Sequence, residues 1–434
     1  MGLQLQERLK EYRWLAGLGI VALGVRVWFV IDRWNVRPGL GSDQYWYHNV
    51  GQLIVSGKGI SNPVVYALSG RLIPTASHGP LTALVFVPLD LIGINEVHAQ
   101  QLIMAGLGTL TVMILAHLAS RWGHRAGVFT GWFGALYAGL WIFDAKVMSE
   151  PLEQFLFAVT LVLAYRLLDR FTLPRAIWLG LLIGLDVLTR SELLLLVPLV
   201  AAPICFRAIR TNSRRAVITR SGAALATTLL VLAPWVGYCL TSFVHPEVLS
   251  TGLGVGLLQD NNPIVYQGPN LGSWAGWPPH TAFGIDESEL DRISLQLGLR
   301  YAEAHKGRIP VVVLARVGRV WFFFRPFGSA HLVASEGQSV GATLAWIWSF
   351  YAALGFAVVG ALTLRRRKVV VYPLLAPVAV VTIVAVGESG VLRFRAAFEV
   401  AFVVLVGVGS DAVWTWASGL IRSAQARRIE AGTR

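Results

Sequence analysis

The first chemistry the chain suggests is an aspartate set among aromatic residues, in Gly41-Ser42-Asp43-Gln44-Tyr45-Trp46-Tyr47-His48. A carboxylate in that setting can take the proton of a hydroxyl while neighbouring rings, Tyr45 among them, stack on sugar faces. The same pattern fits a solvated loop acid beside the aromatic residues that favour membrane interfaces. Further on lies Arg71, then Pro74-Thr75-Ala76-Ser77-His78-Gly79-Pro80, in which His78 could contact a phosphate or a sugar, or simply open a helix with Pro80 in its first turn. Near the other end, Glu388-Ser389-Gly390-Val391-Leu392-Arg393-Phe394-Arg395 offers two guanidinium forks, a group suited to a pair of phosphate oxygens. Arg395 and Glu399, four residues apart, would equally make an intrahelical ion pair.

Three further groups carry polar residues. Asp144-Ala145-Lys146-Val147-Met148-Ser149-Glu150-Pro151 contains a lysine and an acid, Glu150, that could serve a site or cap a helix starting at Pro151. Asp186 and Arg190 are spaced to pair across a helical turn, with Glu192 as another acid just beyond. A long polar stretch holds Asn261-Asn262-Pro263 and Trp274-Ala275-Gly276-Trp277, whose amides and indoles suit an acceptor sugar or peptide, or anchor the loop at a membrane. Cys205 and Cys239 fall in apolar runs near opposite ends, which argues against a disulfide or a metal site built on them.

Apolar helices must position these groups. Of 434 residues, 55% are hydrophobic and 14% charged, with a mean hydropathy of +0.59, whereas soluble domains carry about 25% charged residues. Runs of about 18 or more nearly uncharged residues read as transmembrane helices, and the pattern places helices near 14–31, 96–119, 126–143, 151–169, 176–188, 192–207, 221–241, 342–364, 369–387 and 396–418. The net charge of +13 does not point to nucleic acid, because the basic residues gather in short connectors. With the N-terminus in the cytoplasm, alternation puts Arg121–Arg125, Asp169–Arg175, Arg207–Arg220, Arg365–Lys368 and the tail with Arg422 inside, as the positive-inside rule requires. Leu81–Ile94 is short and holds Pro88 and Asp90, and Ile309–Phe327 carries three arginines; both read as re-entrant or interfacial. The expectation is one all-α polytopic domain over 1–434, with about 10–12 transmembrane helices and interfacial helices in its outside loops. The same alternation sends 32–80, 144–150, 189–191, the long loop 242–308 and 388–395 to one outer face, which holds nearly all the polar groups named above.

Taken in order, these pieces resemble the GT-C superfamily of polyprenyl-phosphate-sugar-dependent glycosyltransferases, and within it the protein O-mannosyltransferase and aminoarabinose-transferase-like enzymes. The resemblance spans most of the chain: Asp43 early in the first outside loop, Pro80-Leu81, Ser149-Glu150-Pro151, Leu188-Thr189-Arg190-Ser191-Glu192, Pro234-Trp235, Asn262-Pro263 and Arg393-Phe394-Arg395. It implies that Asp43 is the general base and that Arg393, Arg395 and His78 hold the donor phosphate. Where some relatives have Lys or Arg, this chain has His78. It also implies a lipid-linked sugar donor, an acceptor hydroxyl on a glycolipid, glycan or protein, and transfer with inversion at the extracytoplasmic face of a bacterial inner membrane, both termini being cytoplasmic. Tyr45, Lys146, Glu150, Arg190, Glu192, Asn262, Trp274 and Trp277 are the remaining site candidates. Some relatives carry a divalent metal, but no convincing ligand spacing occurs here, and no cofactor is expected to be essential.

Two other classes compete. A transporter or lipid flippase would show inverted repeats and broken helices with midplane charges, and no such repeat is visible. The other is a non-enzymatic scaffold of a cell-envelope complex.

Overall fold

The last helix is the axis on which the others pack. The structure, a computed structural model, describes residues 2–276 and 284–432. Its helices are α1 (Gly2–Asp32), α2 (Asp43–Val55), α3 (Pro63–Ser69), α4 (Leu81–Leu91), α5 (Val97–Ser120), α6 (His124–Leu136), α7 (Ala138–Trp141), α8 (Glu150–Asp169), α9 (Leu173–Thr189), α10 (Ala202–Ala208), α11 (Arg214–Ser242), α12 (Leu253–Asp260), α13 (Glu287–Ala304), α14 (Ile309–Val320), α15 (Pro326–Leu332), α16 (Val340–Arg366), α17 (Tyr372–Gly387) and α18 (Ala396–Gly432). No strand forms among the described residues. The apolar stretch of α18 is buried by α5, α6, α8, α16 and α17. Small residues let the backbones meet: a Cβ on Gly409 would lie 1.8 Å from the Phe356 carbonyl, and one on Gly360 2.0 Å from that of Leu405. In an apolar solvent such close approach replaces the hydrophobic drive that helix pairs lack there.

Among the described residues, seven helical segments are long and apolar enough to cross a membrane: Trp14–Asp32, Val97–Ser120, Glu150–Asp169, Ser191–Ala208, Arg214–Ser242, Val340–Arg366 and Leu392–Gln425. This is an all-helical multi-pass membrane protein. All ten expected helices are present, although the run expected over 126–143 breaks at Tyr137, where the backbone is extended between α6 and α7. Ser191–Ala208 is irregular, passing from a 3-10 turn through a π turn into α10 around Pro198 and Pro203. Helix α4 has 11 residues and α14 has 12. At about 1.5 Å per residue neither reaches across a core about 30 Å thick.

The bundle has two chemically distinct ends. At one, the basic connectors touch: Arg121 pairs with Asp169 at 2.8 Å, Arg367 donates to the Trp122 carbonyl at 2.8 Å, and Arg220 donates to the Phe171 carbonyl. The other end carries the acids, histidine and tryptophans of the connectors between α1 and α2, α3 and α4, α7 and α8, and α17 and α18.

Between these ends, Arg26 of α1 pairs with Asp144 at 2.7 Å, with both side chains almost completely buried, and also donates to the Ala22 and Leu140 carbonyls. Only a glycine fits beside the pair, since a Cβ on Gly108 would lie 2.3 Å from the Asp144 carboxylate. Removing one partner of a buried ion pair costs about 3–5 kcal/mol, more than replacing both by apolar residues. Asp144→Ala should therefore lower the melting temperature in detergent sharply, and Arg26→Met combined with Asp144→Leu should restore most of it. A single variant that melts like the parent protein would show that the pair does not hold α1 in place.

Candidate active site

The site forms where the two ends of the chain meet. Ser42 caps α2, its hydroxyl accepting from the Tyr45 amide at 3.2 Å, which sets Asp43 in the first turn, where a helix end favours negative charge. Trp46 on the same helix donates its indole N–H to the Thr75 hydroxyl at 3.0 Å, drawing the loop before α4 over α2. The Trp46 and Tyr47 rings then pack on His78 with centroids 5.1 and 5.2 Å away. This leaves His78 Nε2 3.5 Å from one Asp43 carboxylate oxygen. The other oxygen accepts from Arg393, 350 residues away in sequence. Asp43, His78 and Arg393 each keep about a quarter of their side-chain surface exposed (27%, 26% and 27%), so the trio faces an opening.

Around this trio lies a second layer. Lys146 donates to the Glu336 main-chain carbonyl at 2.9 Å, and the Glu336 carboxylate accepts from the Trp274 indole at 2.9 Å. Lys146, Glu336 and Arg393 line one recess with Met148 and Gln338. Arg190 is held by Glu192 at 2.6 Å, Glu150 at 3.1 Å and Glu153 at 3.6 Å, and sits over the Phe394 ring. The expected pair of Asp186 with Arg190 does not form: Asp186 accepts from the Thr160 hydroxyl instead, because the chain turns out of α9 at Arg190 and swings the guanidinium toward the start of α8. Glu150 is the first residue of α8 rather than its cap, and its charge answers Arg190.

The two arginines of the 392–395 segment part company. Arg393 points to the opening, whereas Arg395 is fully buried, 2.6 Å from Glu399, donating to the Val320 carbonyl within a box formed by Trp321, Phe322, Trp346, Phe350 and Phe398. Its fork is committed to that box, which corrects the expectation that it reaches a donor phosphate; the ion-pair alternative is the one observed. Asn262 is also internal, donating to the Leu258 and Gln259 carbonyls and accepting from the Ile264 amide. Tyr45 faces away from Asp43 into a recess with Asn49, Gln52 and Tyr66. Trp277 lies outside the described residues.

Sequence reasoning passed over Glu336 and Glu153. Glu153 was visible as the residue one helical turn beyond Glu150. Glu336 lies in a short 3-10 turn, and only its solitary charge before the Ser339 cap of α16 marked it.

Electrostatics divides the roles. Burial pushes the Asp43 carboxyl up, but Arg393, with His78 and Arg190 adding to it, more than offsets this and holds it well below the usual carboxylate range. Burial pushes the His78 imidazole down against the pull of Asp43, favouring the neutral ring. Burial raises Glu388 to about 7, with Glu192 adding to the effect, and lowers Lys146 to about 8 despite Glu336 and Glu150. Among the described residues no three His, Cys, Asp or Glu side chains gather as a metal-ligand set.

No protein-family model matches the sequence, and no curated protein matches it. Solved structures do match in shape. The Archaeoglobus fulgidus oligosaccharyltransferase tethered to an acceptor peptide with the NVT sequon superposes with a TM-score of 0.56 at 16% identity, over 93% of this chain and 50% of that one. The likeness is one of helical fold. The archaeal oligosaccharyltransferase AglB from the same organism, in complex with an inhibitory peptide and a dolichol-phosphate, gives 0.54 at 15% identity, over 96% and 52% of the two chains. This chain thus spans about half the length of the oligosaccharyltransferases it matches. ArnT from Cupriavidus metallidurans bound to undecaprenyl phosphate aligns over 92% of this chain and 77% of its own at 12% identity, with a TM-score of 0.40. On this helical frame, Asp43 and Arg393, 350 residues apart, come to one mouth of the bundle.

The titration of Lys146 can be checked without assuming a reaction. Its modification by an amine-reactive reagent in the folded protein should rise with a midpoint near pH 8, against about 10.4 for an ordinary lysine. A midpoint above pH 10 would mean that the amine is solvated and does not belong to the recess.

Proposed function

We propose that the protein is a membrane glycosyltransferase that moves a sugar from a polyprenyl-phosphate donor to an acceptor hydroxyl. The observation that carries this reading is the Asp43–Arg393 contact in a part-open mouth, beside His78, at the end of the bundle opposite the basic connectors. That end faces the extracytoplasmic side if the basic connectors obey the positive-inside rule, which leaves both termini in the cytoplasm. A bacterial plasma membrane is the setting this implies.

The reaction asks little of the protein. The acceptor oxygen attacks the anomeric carbon, the bond from that carbon to the phosphate oxygen breaks, and the configuration inverts. The hydroxyl proton passes to the Asp43 carboxylate, and the lipid phosphate leaves as a monoester dianion steadied by Arg393. The leaving group is already a good anion, so no general acid is required. Lys146 adds positive charge to the recess, and neutral His78 offers a hydrogen bond beside Asp43. Glu336 and Trp274 bring the long loop to the same place, where an acceptor glycolipid, glycan or peptide would enter. No step is routed through a metal, and none is proposed as essential.

Arg393 has one carboxylate to answer before the donor arrives and a phosphate afterwards. A phosphate that takes over the guanidinium withdraws the charge that depresses Asp43, so the carboxylate becomes a stronger base once the donor is seated. The base is thereby armed by its own substrate.

Asp43→Asn keeps the shape but cannot take the proton, and turnover should fall about 10²–10⁴-fold. Donor affinity should be kept or improved, because Arg393 loses its competitor. Near-normal transfer by this variant would remove Asp43 from the role and leave Glu336 as the carboxylate to examine. Charge-assisted bonds to phosphate are worth about 1.5–3 kcal/mol each, so Arg393→Ala should raise the donor KM roughly ten- to a hundredfold. Arg393→Lys should recover part of that loss. An unchanged KM with reduced folding yield would instead make Arg393 a structural residue.

A further inference from the structure

The end of the bundle away from the active site holds a cavity of about 470 Å³. It opens where three connectors meet: the α8–α9 turn, the end of α10, and the start of α11. Four arginines line it, Arg170, Arg207, Arg210 and Arg220, over a floor that includes Leu167, Phe171 and Ile204. Arg220 is already used, bonded to the Phe171 carbonyl and to Asn212 at 2.9 Å, so it ties two of the connectors together and shapes the cavity. The other three are exposed, and no carboxylate among the described residues pairs with them. The one acid in the lining, Asp169, is turned to Arg121 at 2.8 Å. Three unanswered guanidiniums around one concavity repel one another, and an anion with several oxygens relieves that repulsion better than water does.

The surroundings say which anion. Phe206, Ile209, Ile218 and Leu173, next in sequence to the lining residues or within two positions of them, are exposed large apolar side chains. A soluble anion has no use for them, whereas a lipid lays its acyl chains along such a surface while its phosphate enters the basic cavity. Helix ends put the cavity at headgroup depth, on the face the positive-inside rule assigns to the cytoplasm.

We propose that this cavity is a binding site for the phosphate headgroup of an anionic membrane phospholipid, with Arg170, Arg207 and Arg210 as its ligands. The inference does not depend on the reaction at the other end.

Purified protein in phosphatidylcholine nanodiscs, titrated with phosphatidylglycerol or cardiolipin, tests it by the stoichiometry and affinity of retained lipid in native mass spectrometry. One anionic lipid should be retained tightly. The triple variant Arg170→Gln, Arg207→Gln, Arg210→Gln should lose it, with affinity falling at least about tenfold per arginine. These side chains hold nothing else in place, and melting in phosphatidylcholine alone reports whether the variant is folded. A second triple variant, Arg365→Gln, Arg366→Gln, Lys368→Gln, removes the same charge from another connector at the same end and should keep the lipid. Equal loss in both variants would overturn the proposal in favour of diffuse surface attraction. Inorganic phosphate or pyrophosphate competing at millimolar concentration would also overturn the lipid assignment and make the cavity a soluble-anion site.

Discussion

Two arginines two residues apart, on one 3-10 turn at the head of α18, are sent in opposite directions, and the arrangement of the outer end follows from this. Arg395 turns inward, where a bare guanidinium would be prohibitively costly, and is offset by Glu399, a main-chain carbonyl and five aromatic faces. That anchor fixes the pitch of the turn. Arg393 is thereby obliged to face the opening, where Asp43 meets it. Without the buried anchor the outer arginine would sit on a free loop, and its fork would have no fixed direction.

The ionisable groups near the opening are arranged in unequal strengths. Arg190 is surrounded by Glu150, Glu153 and Glu192, a surplus of acid that leaves it no charge to lend. Arg393 is answered by Asp43 and Lys146 by a carbonyl, so these two are the cations an incoming anion can recruit. A phosphate would thus be steered to one side of the opening, away from the acids around Arg190. Specificity of placement comes from which charges are already spoken for, more than from the total.

Much of this was legible in the residues, and the failures have physical causes. Helix positions followed from apolar length, because a bilayer tolerates few alternatives to a helix. The basic connectors gave the two ends their characters, and Arg121–Asp169 and Arg367–Trp122 show that these connectors do meet. The neighbourhood of Asp43, His78 and Arg393 was suggested by a resemblance and by shared placement, not by spacing, since nothing local links residues 350 apart. Pairings inside the site were least legible. Asp186 and Arg190 had helical spacing, yet the helix ends between them and the pair does not form. Glu336 had no pattern at all, because a residue in a short 3-10 turn carries no periodicity to betray which way it faces.

The late position of α18 bears on how the protein comes into being. A contact spanning 350 residues cannot exist until the chain has been made and inserted through Arg393. Before α18 enters, the groove that it fills between α6, α8 and α16 has no occupant, and Asp43 lacks the Arg393 guanidinium that answers it. The chain therefore gains the guanidinium that answers Asp43 in the same event that closes its core. A chain stalled short of α18 would keep Lys146 and the Arg190 cluster at its outer end but leave Asp43 without Arg393.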